Sequence, residues 1–399
     1  MIEITDKSKC CGCWACENTC PKNCIKMVED EEGFRYPHID KDVCIDCGLC
    51  EKVCPLKQPR MDDATPDSYV VQQKDKEILR SSTSGGFFSS IAKWAIAQGG
   101  VVFGAAFDED MELRHSYSET LEGCAKFRGS KYVQSLIGDS YKNAKNFLAQ
   151  GRVVVFSGTP CQISGLFHYL RGKKYEGLVT VDLVCRGTPS PLLLRKYLNY
   201  HSSRLGAKAV DYRSRHKYLG YYFSTASIFF DNKKIKYNKS KESDMMVKLY
   251  FDDLISRPSC YKCHFKTLHR VSDITIFDCW DAMSVSAEFT DGGATNVFLH
   301  TEKGRSCFNE IKHEFVCKAS EINSIIARDG VMIKNCVPMN PRRRGFFHDL
   351  QTMEMDEIER KYMGGGIKRK IIAKLKLVLW KLGLFKPYIL YKIRHTTPK

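Results

Sequence analysis

The sequence predicts a small α+β unit at the N-terminus, then an α/β domain pair, then a basic amphipathic helical tail. Three observations carry this expectation. Two copies of C-x2-C-x2-C-x3-C-P stand 34 residues apart between Cys10 and Pro55. Strand-like runs then alternate with glycine turns and helix-like runs, the pattern of α/β architecture. Residues 367–399 hold ten Lys or Arg and no acidic residue.

The N-terminal unit rests on the cysteine spacing. Cys10, Cys13, Cys16, Cys20 and Pro21 form the first copy, and Cys44, Cys47, Cys50, Cys54 and Pro55 repeat it at identical offsets. This is the bacterial run that holds two iron–sulfur clusters, with each fourth Cys reaching across to the other cluster. The expected ligand sets are therefore Cys10, Cys13, Cys16 and Cys54 for one cluster, and Cys44, Cys47, Cys50 and Cys20 for the other. Three thiolates two residues apart can wrap a cubane corner by corner, and the proline then turns the chain away. Structural zinc fits poorly, because it pairs its ligands as C-x2–4-C with a long gap between pairs. Disulfides fit worse: Met1-Ile2-Glu3 leads almost directly into the ligands with no secretory signal. The segment carries a complete ligand set of its own, so it is expected to be separable.

Residues 56–67, rich in Pro, Asp and Lys, read as a linker. Ser68 to Gln72 is strand-like. Ser81-Ser82-Thr83-Ser84-Gly85-Gly86 makes a turn, and Phe87 to Gln98 reads as a helix with Phe87, Phe88, Ile91, Trp94 and Ala95 on its apolar side. Strand-like Val101 to Phe107 and Glu112 to Tyr117 follow, and Tyr132 to Gln150 passes from loop to helix. Small residues at Thr83 to Gly86 let backbone approach a ligand, and free N–H groups at a helix start favour phosphate. An ordinary Ser/Thr cap with turn glycines fits the same residues.

The next unit repeats the logic. Arg152 to Phe156 is a β-branched strand, Ser157-Gly158-Thr159-Pro160 a turn, and Cys161 to Leu170 a helix. Leu178 to Val184 is a further strand that runs into Cys185-Arg186-Gly187. Cys161 and Cys185 thus stand near strand C-termini, the edge where open α/β sheets bind ligands. Cys260-Tyr261-Lys262-Cys263 follows, then strand-like Asp273 to Phe277 and Asp278-Cys279-Trp280. A single C-x2-C supplies half a metal site, and Cys161 and Cys185 are the best-placed donors for the other half. A redox C-x2-C pair and two structural thiols fit these residues as well.

Across residues 5–345 the chain resembles the beta-subunit family of coenzyme F420-reducing hydrogenase and dehydrogenase, preceded by a two-cluster ferredoxin domain. The resemblance rests on Ser84-Gly85-Gly86, Gly129-Ser130-Lys131-Tyr132 and Gly158-Thr159-Pro160-Cys161-Gln162. It continues through Val184-Cys185-Arg186-Gly187, Cys260-x2-Cys263, Ser272-Asp273-Ile274 and Asp278-x-Trp280. It implies bound flavin, usually FAD, beside one further 4Fe–4S cluster whose ligands look like Cys161, Cys185, Cys260 and Cys263. Thr83, Ser84, Gly85 and Gly86, with Ser130, Lys131 and Tyr132, become the expected flavin-binding residues. Arg186 stands where many relatives have His, and Cys279 where an aromatic or small residue is common. The implied fold is an α+β ferredoxin-like two-cluster domain (residues 1–60) and a linker (61–67). An α/β flavin-binding domain pair (68–150 and 151–345) and a basic amphipathic helical tail (346–399) complete it. The family covers substrates as different as the deazaflavin coenzyme, chlorophyll precursors and compounds of surface-polysaccharide gene clusters, so fold and cofactor transfer better than reaction.

Composition sets the remaining bounds. Nineteen Cys without a signal peptide point to metal and redox chemistry in a reducing, cytoplasmic setting. No apolar run approaches the roughly 20 residues that span a bilayer. Of a net charge of +16, ten charges sit in the tail, and no nucleic-acid-binding motif accompanies them. On a helical wheel Ile367, Ile371, Leu375, Val378 and Leu382 share a face, while Arg369, Lys370, Lys374, Lys376 and Lys381 fall outside it. That pattern suits the inner face of an anionic membrane, or a helix docked on its own domain or a partner. The seven other Cys (Cys11, Cys24, Cys124, Cys279, Cys307, Cys317, Cys336) read as reduced, mostly structural thiols. Arg342-Arg343-Arg344 could hold a phosphate or a carboxylate partner, and a solvated basic loop fits the same residues better. The expected function is an oxidoreductase passing electrons from a ferredoxin-type donor through three 4Fe–4S clusters to FAD and on to a small-molecule or glycan-related substrate. An electron-transfer subunit of a larger complex and a non-catalytic iron–sulfur binding protein are the alternatives.

Overall fold

A computed structural model describes the backbone of residues 1–59, 65–364 and 366–395, with the side chains of 366–370, 390 and 392–395 left aside. The N-terminal segment forms one antiparallel hairpin, β1 (Ile25–Glu29) and β2 (Arg35–Ile39), with the short helix Ala15–Thr19 beside it. The strands that follow are β3 (Asp67–Gln73), β4 (Val101–Phe107), β5 (Leu113–Ser118), β6 (Val154–Gly158) and β7 (Leu178–Leu183). After them come β8 (Ala209–His216), β9 (Thr225–Phe230), β10 (Tyr237–Lys239), β11 (Ile274–Cys279), β12 (Ala294–Leu299) and β13 (Phe315–Ala319).

Eight of these strands make one sheet in the order β13-β3-β12-β11-β7-β6-β4-β5, and β10-β9-β8 make a second. β4, β6, β7 and β11 are parallel, whereas β5, β12 and β13 pair antiparallel at the flanks. A parallel strand covered on both sides must be apolar throughout, and Val154, Val155 and Phe156 are all fully buried. Val154 and Phe156 face the helices Ser140–Ala149 and Pro160–Tyr169, where Tyr141, Ile163 and Leu166 pack. Val155 faces the helices Phe87–Ala97 and Glu302–Ile311 through Phe87, Ile91 and Phe308.

The expected elements from Ser68 to Phe277 appear within a few residues of their predicted bounds. The domain division does not follow. β3, β4 and β5 lie in the same sheet as the strands after residue 150, so the expected pair is one continuous layer. β8 to β10 and β12 to β13 complete the two sheets without having been anticipated. The expected tail also begins too early: helices Arg343–Thr352 and Met355–Met363 bury Phe346, Leu350 and Ile358 in the body. Arg343 is no solvated loop cation either, since it pairs with Glu32 beneath the surface.

The N-terminal unit is built into the body rather than tethered to it. Phe34 is fully buried with Leu193, Tyr197 and Phe347. Gly33 has positive φ (+85°), and a Cβ there would sit 2.3 Å from Leu192 Cβ. Asn18 Nδ2 donates to Gly138 O at 2.8 Å. The expected linker falls mostly outside the described residues, and its last position, Asp67, opens β3. Among the described residues no helix is long and apolar enough to cross a membrane.

Candidate functional site

The repeated motif is repeated in backbone geometry. Gly12 and Asp46, one residue before the second thiol of each copy, have φ of +69° and +45°, while Trp14 and Gly48, one residue after, have +66° and +70°. Left-handed residues at matching positions bend each copy around a centre, a conformation costly for Trp and Asp. Cys16 lies in the electrostatic reach of Cys10, Cys13 and Cys54, which is the crossed grouping expected from the spacing. Cys20, Cys44, Cys47 and Cys50 together line a second small cavity. Cys24, taken for a structural thiol, lines it too, with its Sγ 3.3 Å from that of Cys20.

The third quartet assembles from three places. Cys161 sits in the first turn of Pro160–Tyr169, which Thr159 and Gln162 cap reciprocally. Cys185 follows β7, and Cys260 and Cys263 come from the one-turn helix Pro258–Lys262. All four line one cavity, and Cys263 feels Cys161, Cys260 and Cys185 together. Burial pushes the Cys185 thiol up to about 12. A hydrogen bond from Cys11 brings Cys161 down to about 7, Thr159 adding to it against the cost of burial. Cys11, which breaks the motif spacing, lies against both Cys13 and Cys161 and lines the third cavity. Among the described residues no three His, Cys, Asp or Glu converge on a point as a single metal ion requires; these thiols ring cavities.

A cleft of about 320 Å³ opens at the C-terminal edge of β6, β7 and β11, within the range of small-molecule sites. Thr83, Ser84, Gly86, Ser130, Lys131 and Tyr132 line it. Gly85 does not: its N–H donates to Thr295 Oγ1 at 2.8 Å, and a Cβ would fall 2.5 Å from Val71 O. Gly85 lets the loop lie flat on the sheet, while Thr83 Oγ1 accepts the Ser130 N–H at 2.9 Å and joins the two loops. Lys131 donates to the carbonyls of Arg128 (2.9 Å) and Phe127 (3.2 Å), and burial lowers its pKa to about 8.

The cleft also holds groups with no motif to announce them. Arg215, on β8, pairs with Asp278 and lies 4.7 Å from the Trp280 ring centre. Arg186 pairs with Asp253 at 2.8 Å. Both line the cleft, and Arg215 Nη2 and Arg186 Nε are buried donors without a partner. Unsatisfied buried donors are costly, and two cations offering them suit an anionic ligand such as a flavin pyrophosphate. Lys217 fastens the far side of the loop by donating to the carbonyls of Leu79, Ser84 and Gly292 at 2.6–2.8 Å. His115 is held neutral: Nε2 donates to Ser157 O and Nδ1 accepts from Ser135 Oγ, each at 3.0 Å. Burial depresses its pKa to about 4.

Residues 151–325, which supply Cys161, Cys185, Cys260 and Cys263, match the family model for the C terminus of the coenzyme F420 hydrogenase/dehydrogenase beta subunit. Residues 9–57, with the eight motif cysteines, match the 4Fe-4S dicluster domain. Residues 151–325 are a beta-subunit-family C-terminal domain behind a dicluster domain. Among solved structures it is similar to a chain of the F420-reducing NiFe hydrogenase complex from Methanosarcina barkeri, at 18% identity and a TM-score of 0.44, over 69% of this chain and 91% of that one. No curated protein matches. The chain is thus an iron–sulfur electron-transfer protein related to a hydrogenase/dehydrogenase subunit.

Within the beta-subunit domain, Cys185, Arg186, Gly187 and Thr188 line both the third cysteine cavity and the cleft. Four residues therefore form a common wall, with a thiol on it. The dicluster domain meets the same region from the other side through Cys11. Spacing located the thiols, small residues marked the Thr83 turn, and the resemblance added the Ser130 loop and joined them. Arg215 sits in an unremarked strand and reaches the cleft only through sheet packing. His115 lies on the expected Glu112 to Tyr117 strand with nothing to mark it as facing the cleft, and Lys217 holds the loop from outside the cleft.

Proposed function

We propose that the chain is an iron–sulfur flavoprotein oxidoreductase on the cytoplasmic side, passing electrons from a ferredoxin-type donor to a small-molecule or glycan-related substrate. Cys10, Cys13, Cys16 and Cys54 would hold one 4Fe–4S cluster, Cys20, Cys44, Cys47 and Cys50 a second, and Cys161, Cys185, Cys260 and Cys263 a third. Thr83 to Gly86 and Ser130 to Tyr132 would hold FAD, with Arg186 and Arg215 as further donors to its anionic part. Clusters supply single electrons, and a flavin couples these to two-electron chemistry when bound.

The chain's own residues do the rest. Cys47 is exposed, which gives a donor access to the second quartet. Cys11 bridges the first and third quartets. Lys131 offers a cation whose amine is already oriented by carbonyls, and neutral His115 stiffens the β6 end of the cleft without adding charge. The shared wall from Cys185 to Thr188 is the observation that carries the reading, because it supports electron transfer over a short distance between thiol cavity and cleft.

Anaerobic purification of the full chain, with iron and flavin assays and rapid mixing against a reduced ferredoxin-type donor, tests the proposal. About twelve irons per chain are expected, four per cubane, together with bound FAD that bleaches on mixing. Iron without retained flavin would overturn it. The match to a subunit domain favours a second reading, the electron-transfer subunit of a larger hydrogenase or dehydrogenase complex. Donor-driven flavin bleaching with substrate turnover only after partner subunits are added would decide for that reading.

A further inference from the structure

The helix Gly366–Lys381 meets the body along one edge. Lys376 pairs with Glu242, and Trp380 Nε1 donates to Leu219 O at 2.6 Å. The next helix, Phe385–His395, is pinned by Phe385, buried against Phe223 with ring centres 4.6 Å apart. Lys386 adds a pair with Asp291 at 3.2 Å. A helix turns about 100° per residue, so positions 376 and 380 lie together, and 371, 375, 378 and 382 lie about half a turn away.

Ile371, Leu375, Val378 and Leu382 are 58%, 56%, 50% and 65% exposed. A helix docked on its own domain normally buries its apolar stripe and shows its polar side. Here the polar edge is fastened inward and the stripe faces out. Lys374 and Lys381 are exposed along its flank. With ten cations and no acid from 367 to 399, the same segment of a second copy would repel it. Cations beside an apolar stripe match the lipid phosphates and acyl boundary of an anionic bilayer.

We propose that Ile371, Leu375, Val378 and Leu382 form a membrane-docking face, which lies in the headgroup–acyl boundary of an anionic bilayer with Lys374 and Lys381 on lipid phosphates. This stands independently of the electron-transfer reading. The test is co-sedimentation of the full anaerobically purified chain with vesicles of phosphatidylcholine alone and of phosphatidylcholine mixed with phosphatidylglycerol. Binding is expected to the mixed vesicles and to fall at least about tenfold on pure phosphatidylcholine, since each surface cation contributes roughly a factor of five.

Leu375→Glu with Val378→Glu should abolish pelleting while iron content and circular dichroism stay at wild-type values, because Lys376, Trp380 and Phe385 still anchor the helices. Lys374→Glu with Lys381→Glu, which leaves the stripe intact, should weaken binding to mixed vesicles alone. Equal wild-type binding to both vesicle types, or none to either, overturns the proposal. So does wild-type pelleting by the Leu375/Val378 variant. A wild-type dimer that this variant converts to a monomer, with no vesicle binding by either, would assign the face to a second copy instead.

Discussion

Arg257 donates from Nε to the backbone carbonyl of Cys10 at 2.7 Å, so the residue three before Cys260 holds the first thiol of the N-terminal motif. Its Nη2 reaches Cys10 Sγ at 3.4 Å and Arg35 O at 3.0 Å, and Nη1 reaches Gln134 Oε1 at 2.9 Å. Arg257 is 1% exposed, and its guanidinium lies 4.1 Å from the Tyr36 ring centre. A buried cation donating to Cys10, a proposed cluster ligand, would favour the more negative, reduced state. Arg257→Gln should lower the potential of the first N-terminal cluster by about 60 mV, the one-electron equivalent of about 1.4 kcal/mol. A redox titration followed by electron paramagnetic resonance measures it, and an unchanged potential would refute the tuning role.

Cys260→Ser should lower iron from about twelve to about eight per chain. Donor-driven flavin reduction should stop while both N-terminal clusters remain reducible. Unchanged iron and unchanged flavin reduction would remove the third cluster and the path through it.

Gly85→Ala should fail through sterics alone. The added methyl meets Val71 O, and Thr295 N stands 2.6 Å away, so the loop must lift from the sheet. Overpacking of this kind costs about 1–3 kcal/mol. Thermal melting should show that loss together with reduced flavin retention, whereas Ser130→Ala, which keeps its backbone bond to Thr83, should melt like wild type.

The His115 pKa of about 4 lies below the unfolded value of 6.5. Between these two pH values the unfolded chain binds the extra proton, so stability falls as pH drops through that window. The loss is up to about 3 kcal/mol when complete. His115→Asn should flatten this part of the pH–stability curve, and denaturant titrations at pH 7 and pH 4.5 should differ less for the variant.

Glu32→Ala would strand the Arg343 guanidinium, whose other contacts among the described residues are the Ser256 carbonyl and the rings of Tyr261 and Phe347. Breaking a buried pair by removing one partner costs about 3–5 kcal/mol. A comparable fall in stability would show that the dicluster domain is part of one cooperative unit. An unchanged melt would restore the expectation of a separable segment.

What could be read in advance was local. Cysteine offsets specify a wrapped backbone, so the left-handed turns at Trp14 and Gly48 follow from them. Val153 to Phe156 announces a strand buried on both sides. Sheet order could not be read this way, because β3 reaches its neighbour β12 across more than two hundred residues and nothing near Ser68 signals that partner. The domain division failed for the same reason. The turn at Thr83 was legible from its small residues and the Ser130 loop only through the resemblance, but Arg215 and Lys217 come from β8 and the residue just after it. In the tail, the apolar stripe was plain from its three- and four-residue spacing, while the side that meets the body depended on Glu242 and Leu219, far off in sequence.

Cys47 is the one exposed cysteine of the nineteen, and it lines the second thiol cavity with Cys20, Cys44 and Cys50. Dioxygen arriving from solvent meets that end first. If the proposed cluster sits there, its oxidative loss would disconnect the donor before the buried thiols or the cleft are touched. Brief air exposure should therefore leave a chain that small chemical reductants can still drive but its natural donor cannot. On the proposed reading, a cluster held there would act as a fuse, and repair would mean rebuilding one cluster at the surface.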